Sequence, residues 1–190
     1  KFEIAQKSFD NKSYKKAQNL WSEILSHYPK NLSVLRNLAL AFYHDKSLEN
    51  AEMTLKKIIE INKKEPRALI MLILTLEKQD KIDESKKYID FGLEENILDK
   101  HWEIKKNLML PTIFEDLEDI DESRNCLLKY IQEMLISNKK ITLDMESQLI
   151  KPLQFNLSYN QYNNLEINKK CVSFFRKIYP QLNNVHKLKN

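Results

Sequence analysis

Glycine is almost missing from this sequence: Gly92 is the only one among 190 residues, and prolines number five. With a single glycine there is no loop in which clustered backbone amides could cradle a phosphate, which excludes the common nucleotide-binding motifs. The same shortage leaves little room for β-hairpin turns and argues against an all-β fold. No uninterrupted apolar run nears the roughly 20 residues of a spanning helix, and the opening KFEIAQKSFD lacks the charged-then-apolar order of a signal peptide. A cytoplasmic protein that does not engage a membrane is expected. A chain that opens on Lys1 rather than methionine is expected to be a piece of something longer.

Cysteine and histidine are scarce too. Cys126 and Cys171 each fall inside an apolar helical pattern, which predicts buried thiols ahead of a disulfide or a nucleophile. His27, His44, His101 and His186 stand far apart and near no cysteine at ligand spacing, so no metal and no cofactor is expected. The serines have no partner residues that would distinguish a nucleophile, and no catalytic residue is assigned.

Charge is plentiful but nearly balanced, with a net of +4, too mild to indicate nucleic acid. From Lys151 onward there are seven Lys or Arg against one acid, Glu166, which reads as a solvated tail or, less well, as a patch for phosphate or a partner. Glu115 to Glu122 holds six acids in eight residues. It lacks a calcium loop's glycine and ligand alternation, and it fits a helix start, where carboxylates stabilise the positive end of the macrodipole.

What the sequence does contain is a repeat. Ala17, Ala51 and Ser85 are 34 positions apart, each followed by an apolar helical stripe. The first stripe is Leu20, Trp21, Ile24, Leu25 and Pro29; the second is Thr54, Leu55, Ile58, Ile59 and Lys63; the third is Tyr88, Ile89, Gly92, Leu93 and Asn96. Upstream of each anchor runs a second amphipathic segment: Ile4, Ala5 and Phe9; then Leu35, Leu38, Ala39 and Phe42; then Leu69, Leu72, Ile73 and Leu76. Spacings of three and four are helical. The anchors are small because two antiparallel helices approach most closely just beyond their turn, where a bulky side chain would cost roughly 1 to 3 kcal/mol. Gly92 is expected to be a close-packing residue.

These features resemble the tetratricopeptide repeat over residues 1 to 96. The resemblance implies an all-α fold: a tetratricopeptide-repeat superhelix, or αα-hairpin solenoid, with a C-terminal helical cap. One such unit cannot bury its own apolar face, and three are present. Lys63 stands where the repeat usually has proline, and Ile73 where it has a small residue.

After Asn96 the period slips, and residues 97 to 138 are expected to be a degenerate repeat or capping helices. Pro111 predicts a helix from about Lys100 to Met109, an extended link through Phe114 and a long helix over Leu117 to Ile136, capped by Asp116 with Asp119. Residues 139 to 190 are expected to be a linker plus an amphipathic helix. Leu153, Phe155, Leu157 and Tyr159 alternate as in an extended strand or buried linker. Asn163 with Glu166 then predicts a capping box for a helix ended by Pro180, whose stripe Ile167, Cys171, Phe174, Phe175 and Ile178 needs a partner, either the preceding helix or a domain absent from the chain.

The stretches LMLPTIFEDLEDIDESRNCLLKYI and FNLSYNQYNNLEINKKCVSFFRKIYP resemble the segment that joins the repeats to the catalytic region in bacterial SPINDLY-like, O-GlcNAc-transferase-type glycosyltransferases. The residues that carry this are Leu110, Pro111, Phe114, Glu118 to Glu122 and Arg124 in the first, and Phe155, Leu157, Tyr159 and Asn163 in the second. The resemblance implies that the repeats present a protein acceptor to a catalytic domain beyond this chain. No catalytic histidine carries over, because Ile150 to Gln154 occupy that place. Of the groove asparagines that animal members of this family carry, only Asn37 matches, with Glu3 and Met71 at the equivalent positions.

In the repeat geometry the first helix of each pair faces a concave groove. Its exposed stripe reads Ser33, Arg36, Asn37, Leu40, Tyr43 and His44, then Arg67, Ile70, Met71, Leu74, Glu77 and Lys78. Arg36, Asn37, Leu40, Tyr43, Arg67, Ile70, Leu74 and Lys78 are the candidate site: an extended peptide, its acidic or backbone groups on Arg36 and Lys78 and its apolar side chains on Leu40, Ile70 and Leu74. Those aliphatics read equally well as packing in the groove floor. The clamp of chaperone-tail receptors needs asparagine where Leu40 stands. Expected partners are thus a protein or peptide in the groove and the protein's own catalytic domain, or, for a free-standing scaffold, the members of a complex.

Overall fold

A computed structural model describes residues 1–137, 162–178 and 180. Within them the chain forms two compact units, Lys1–Asp99 and Lys100–Asn190. The described residues are helical, with no strand among them, and no helix of theirs is long and apolar enough to cross a membrane. The alternating stretch Leu153 to Tyr159 lies outside the described residues.

The first unit is three antiparallel hairpins: α1 (Phe2–Asp10) with α2 (Tyr14–His27), α3 (Leu32–His44) with α4 (Leu48–Ile61), and α5 (Pro66–Lys78) with α6 (Ile82–Glu94). This is an all-α solenoid of the tetratricopeptide type, and its residues show why. Ala17, Ala51 and Ser85 are fully buried, each just after its hairpin turn. The Ser85 hydroxyl donates to the Ile73 carbonyl at 3.2 Å, so the facing helix backbone itself closes on the anchor. Four positions on, Trp21, Leu55 and Ile89 fill the seam between helices. Apolar faces are shared between neighbours: Trp21 packs with Val34, Leu38 and Ala41, and Leu55 and Ile58 pack with Ala68 and Leu72.

The hairpin turns close without glycine. Lys12, Lys46 and Asp80, again 34 apart, adopt φ of 59°, 63° and 59°. After each, the next amide donates back to the third-last helical carbonyl (Ser13 to Ser8, Ser47 to Phe42, Lys81 to Leu76, at 2.9, 2.9 and 3.0 Å), the Schellman closure. Lysine there bears the steric cost of the left-handed region, of order 1 kcal/mol.

Several expectations need correction. Pro29 is not on the α2 stripe: the helix ends at His27 and Pro29 lies exposed in the following turn. Ile4 is 55% exposed, although its register equivalents Leu38 and Leu72 are 6% and 0%. Those two are covered by the second helix of the preceding hairpin, and Ile4 has no such helix against it among the described residues. Cys126 is exposed, because in α8 (Leu117–Ile136) the buried edge is Leu127 and Ile131, and Cys126 sits about 100° round the helix from Leu127.

Gly92 is the contact its sequence position suggested. An added Cβ would stand 2.5 and 2.6 Å from two atoms of Leu98 and 2.8 Å from Leu69 Cδ2. Alanine at a helix position gains about 1 kcal/mol over glycine, but overpacking a closed seam costs about 1 to 3. Gly92→Ala is therefore expected to lower stability by about 1 kcal/mol in urea unfolding. A rise in stability would show that Leu98 yields freely.

The second unit holds α7 (Lys100–Leu108), α8 and α9 (Leu165–Ile178). Asp116 caps α8 by accepting from the Asp119 amide at 2.8 Å, while Asp119 accepts from the Glu115 amide at 3.2 Å. The amphipathic stripe of α9 finds its partner in the preceding helices: Ile167, Cys171, Phe174 and Ile178 pack with Leu127 and Ile131 of α8 and Ile104 and Leu108 of α7. Burial pushes the Cys171 thiol pKa up, which keeps it protonated and unreactive.

Helices α8 and α9 run in the same direction, pinned at both ends by a cation. Arg124 bonds the Asn164 side chain and the Asn163 carbonyl and lies 4.7 Å from the Tyr162 ring centroid. At the other end the Lys177 ammonium donates to the carbonyls of Met134 (2.8 Å), Leu135 (2.9 Å) and Ser137, where the α8 dipole is negative. The expected Asn163–Glu166 capping box does not form. Asn163 accepts from the Leu165 amide at 2.9 Å, the helix begins one residue later than that box requires, and Glu166 pairs forward with Lys169 at 3.3 Å.

Candidate functional site

The candidate residues lie on α3 and α5, the first helices of the second and third hairpins. Three lateral contacts set these helices beside one another and beside α1. Asn37 Nδ2 donates to Gln6 Oε1 at 3.4 Å, Arg36 pairs with Glu65 at 2.7 Å, and Lys78 Nζ sits 4.0 Å from the Tyr43 ring centroid. Each joins first helices, or the residue capping one, in successive hairpins. One continuous face results.

On that face Leu40, Ile70 and Leu74 are half-buried, which exposes an apolar strip without leaving it fully in water. Arg36, Asn37 and Tyr43 are half-buried as well, while Arg67 and Lys78 are exposed. The structure thus brings all eight residues into two adjoining rows. It also sets Arg36 apart from the other cations: Glu65 holds one guanidinium nitrogen, and the other donates to Ser33 Oγ at 3.3 Å.

An aromatic row at the C-terminal ends of α1 and α3 extends the face and includes residues not singled out from the sequence for this site. His44 stacks on Tyr14 with centroids 5.5 Å apart and 17° between planes, and both rings contact Phe9. Tyr43 meets His44 edge-on at 5.9 Å, and Lys78 continues the row over Tyr43. The signal was available in the period, since Phe9 and Tyr43 are 34 apart, as are Asp10, His44 and Lys78. Tyr14 is a turn neighbour that no periodicity marks.

Among the described residues no group of three His, Cys, Asp or Glu side chains could hold a metal ion.

No protein-family model and no curated protein matches the chain. Among solved structures, the chain is similar to one described as the first TPR of Spaghetti (RPAP3) bound to the HSP90 peptide SRMEEVD, at 19% identity and a TM-score of 0.46, over 68% of this chain and 89% of that one.

Proposed function

We propose that the chain is a noncatalytic protein-binding repeat module whose groove, lined by Arg36, Asn37, Leu40, Tyr43, Arg67, Ile70, Leu74 and Lys78, holds an extended peptide. The observation that carries this is the partly exposed strip of Leu40, Ile70 and Leu74 between flanking polar and charged groups. Aliphatics at such a surface have desolvation still to gain, and the neighbouring donors fix the register of a bound backbone. Peptides selected by display against the full chain are expected to lose about tenfold or more in affinity in a Leu40→Gln/Leu74→Gln variant that keeps its helical content. Binders indifferent to that pair place the site elsewhere.

In its finer form the proposal has three repeats over 1–96, capping helices over 97–138 and a linker with α9 over 139–190, together the acceptor-presenting part of a SPINDLY-like protein O-glycosyltransferase. The contact of Arg124 with Asn163 and Asn164 supports this reading, because it joins residues from the two stretches that carry the resemblance. A coding frame continuing past Asn190 into a glycosyltransferase domain upholds it; a stop codon there removes it. The alternative, a free-standing scaffold, is favoured by Glu3 and Met71 standing where groove asparagines would be, and by Asn37 already bonding Gln6.

A further inference from the structure

Resting on that peptide-binding reading, we infer that the groove selects a ligand of the pattern acidic-x-apolar-x-apolar-x-acidic, with Ile70 and Leu74 taking the apolar side chains and Arg67 and Lys78 the two carboxylates. The choice of cations follows from which are already engaged. Arg36 is closed by Glu65, itself mostly covered, so a ligand carboxylate there would have to displace a formed ion pair. Arg67 is exposed and makes no hydrogen bond or ion pair among the described residues. Lys78 lies over the Tyr43 ring, which engages one side of an ammonium that still has outward-pointing N–H donors.

Spacing sets the pattern. Arg67, Ile70, Leu74 and Lys78 fall three, seven and eleven residues along one face of α5. At 1.5 Å per residue, Ile70 and Leu74 are about 6 Å apart along the axis and the two cations about 16 Å apart. Alternate residues of an extended strand point the same way and are about 6.6 Å apart. Two apolar side chains separated by one residue therefore match Ile70 and Leu74. The next same-facing position on either side falls about 2 Å outside Arg67 and about 1 Å outside Lys78, within the reach of either side chain. A carboxylate at each such position completes the match, and charge-assisted bonds at both ends fix its register.

A fluorescein-labelled peptide Glu-Ser-Leu-Ser-Leu-Ser-Glu, titrated with the full chain by anisotropy, is expected to bind at least about tenfold tighter than the same peptide with both Glu replaced by Lys. Its affinity is expected to fall with added salt. Arg67→Gln/Lys78→Gln should abolish the difference between the two peptides, while Lys57→Gln, which removes an exposed cation on α4 outside the groove, should preserve it. Equal binding of the two peptides, both lost in Leu40→Gln/Leu74→Gln, overturns the charge pattern and leaves the groove standing. A preference that survives Arg67→Gln/Lys78→Gln overturns the assignment of the cations. Absence of binding by either peptide, with display selection also yielding no groove-dependent binder, removes the peptide reading itself.

Discussion

Trp21→Ala is expected to lower the stability of the repeat unit by about 3 to 5 kcal/mol, the largest single loss we anticipate. The indole is 1% exposed and sits where α1, α2 and α3 meet, with Ala5, Ala17, Val34, Leu38 and Ala41 around it and the Phe9 ring centroid 5.7 Å away. Three of those neighbours are alanine, which cannot swing into the space left behind, so the cavity term adds to the lost transfer energy. The size of the ring, not its polar edge, makes this contribution. Among the described residues Trp21 Nε1 is buried with no hydrogen-bond partner, a desolvation penalty of about 1 to 3 kcal/mol that the native packing offsets. Trp21→Phe removes that penalty along with part of the volume and should cost about 1 kcal/mol or less. Urea unfolding followed by circular dichroism distinguishes the cases. Equal losses for Phe and Ala would mean that the indole nitrogen has a partner and that the packing account is wrong.

The seam around Trp21 also shows how far the sequence alone reaches. Anchors, seam residues and the pairing of helices were legible because burial imposes a period: a position that must be small at 17 must be small at 51 and 85. Boundaries of α8 were legible too, since Asp116 and Ile136 bracket a run that acids open and apolar residues sustain. The turns were legible in length but not in mechanism, because the left-handed residue in two of the three is lysine, which carries no signature for positive φ. Burial in α8 failed by one residue: Cys126 and Leu127 are adjacent in sequence but about 100° apart on the helix, and only the docking of α9 decides which is covered. The proposed groove shows the same divide. Its aliphatics follow from helical spacing, whereas the engagement of Arg36 depends on Glu65, 29 residues away, just ahead of the next first helix. No local pattern announces such a pair.

Another long-range pairing that periodicity does not encode leads to the second large effect, Glu52→Ala, with an expected loss of about 2 kcal/mol at neutral pH. Glu52 is buried on α4 and gathers the Lys56 ammonium at 2.6 Å, the Lys81 ammonium at 2.7 Å and the Gln79 amide at 2.9 Å, while Lys56 also pairs with Glu84 at 2.6 Å. The knot ties the second hairpin to the turn and second helix of the third. Burial alone would raise the Glu52 pKa, but the hydrogen bonds from Lys56, Lys81 and Gln79 outweigh it and hold the carboxyl down to about 2, against an ordinary 4.5. A folded-state pKa below the unfolded one means that the unfolded chain binds more protons in that interval. The stabilisation is therefore complete above about pH 4.5 and is lost as pH falls through about 2. Taken alone the shift corresponds to roughly 3 kcal/mol, and partial exposure of both lysines reduces it toward 2. Lys56 moves the other way: burial lowers its pKa, but its bonds to Glu52 and Glu84 raise it by more, so the ammonium stays charged across the acid range and its pairing with Glu52 fades only as that carboxylate takes up a proton. Stability measured from pH 6 to pH 2 should then fall more steeply in the native chain than in Glu52→Ala, with the two curves converging at the acid end. Parallel curves would show that the carboxylate titrates normally and that the hairpins are joined by their apolar seam alone.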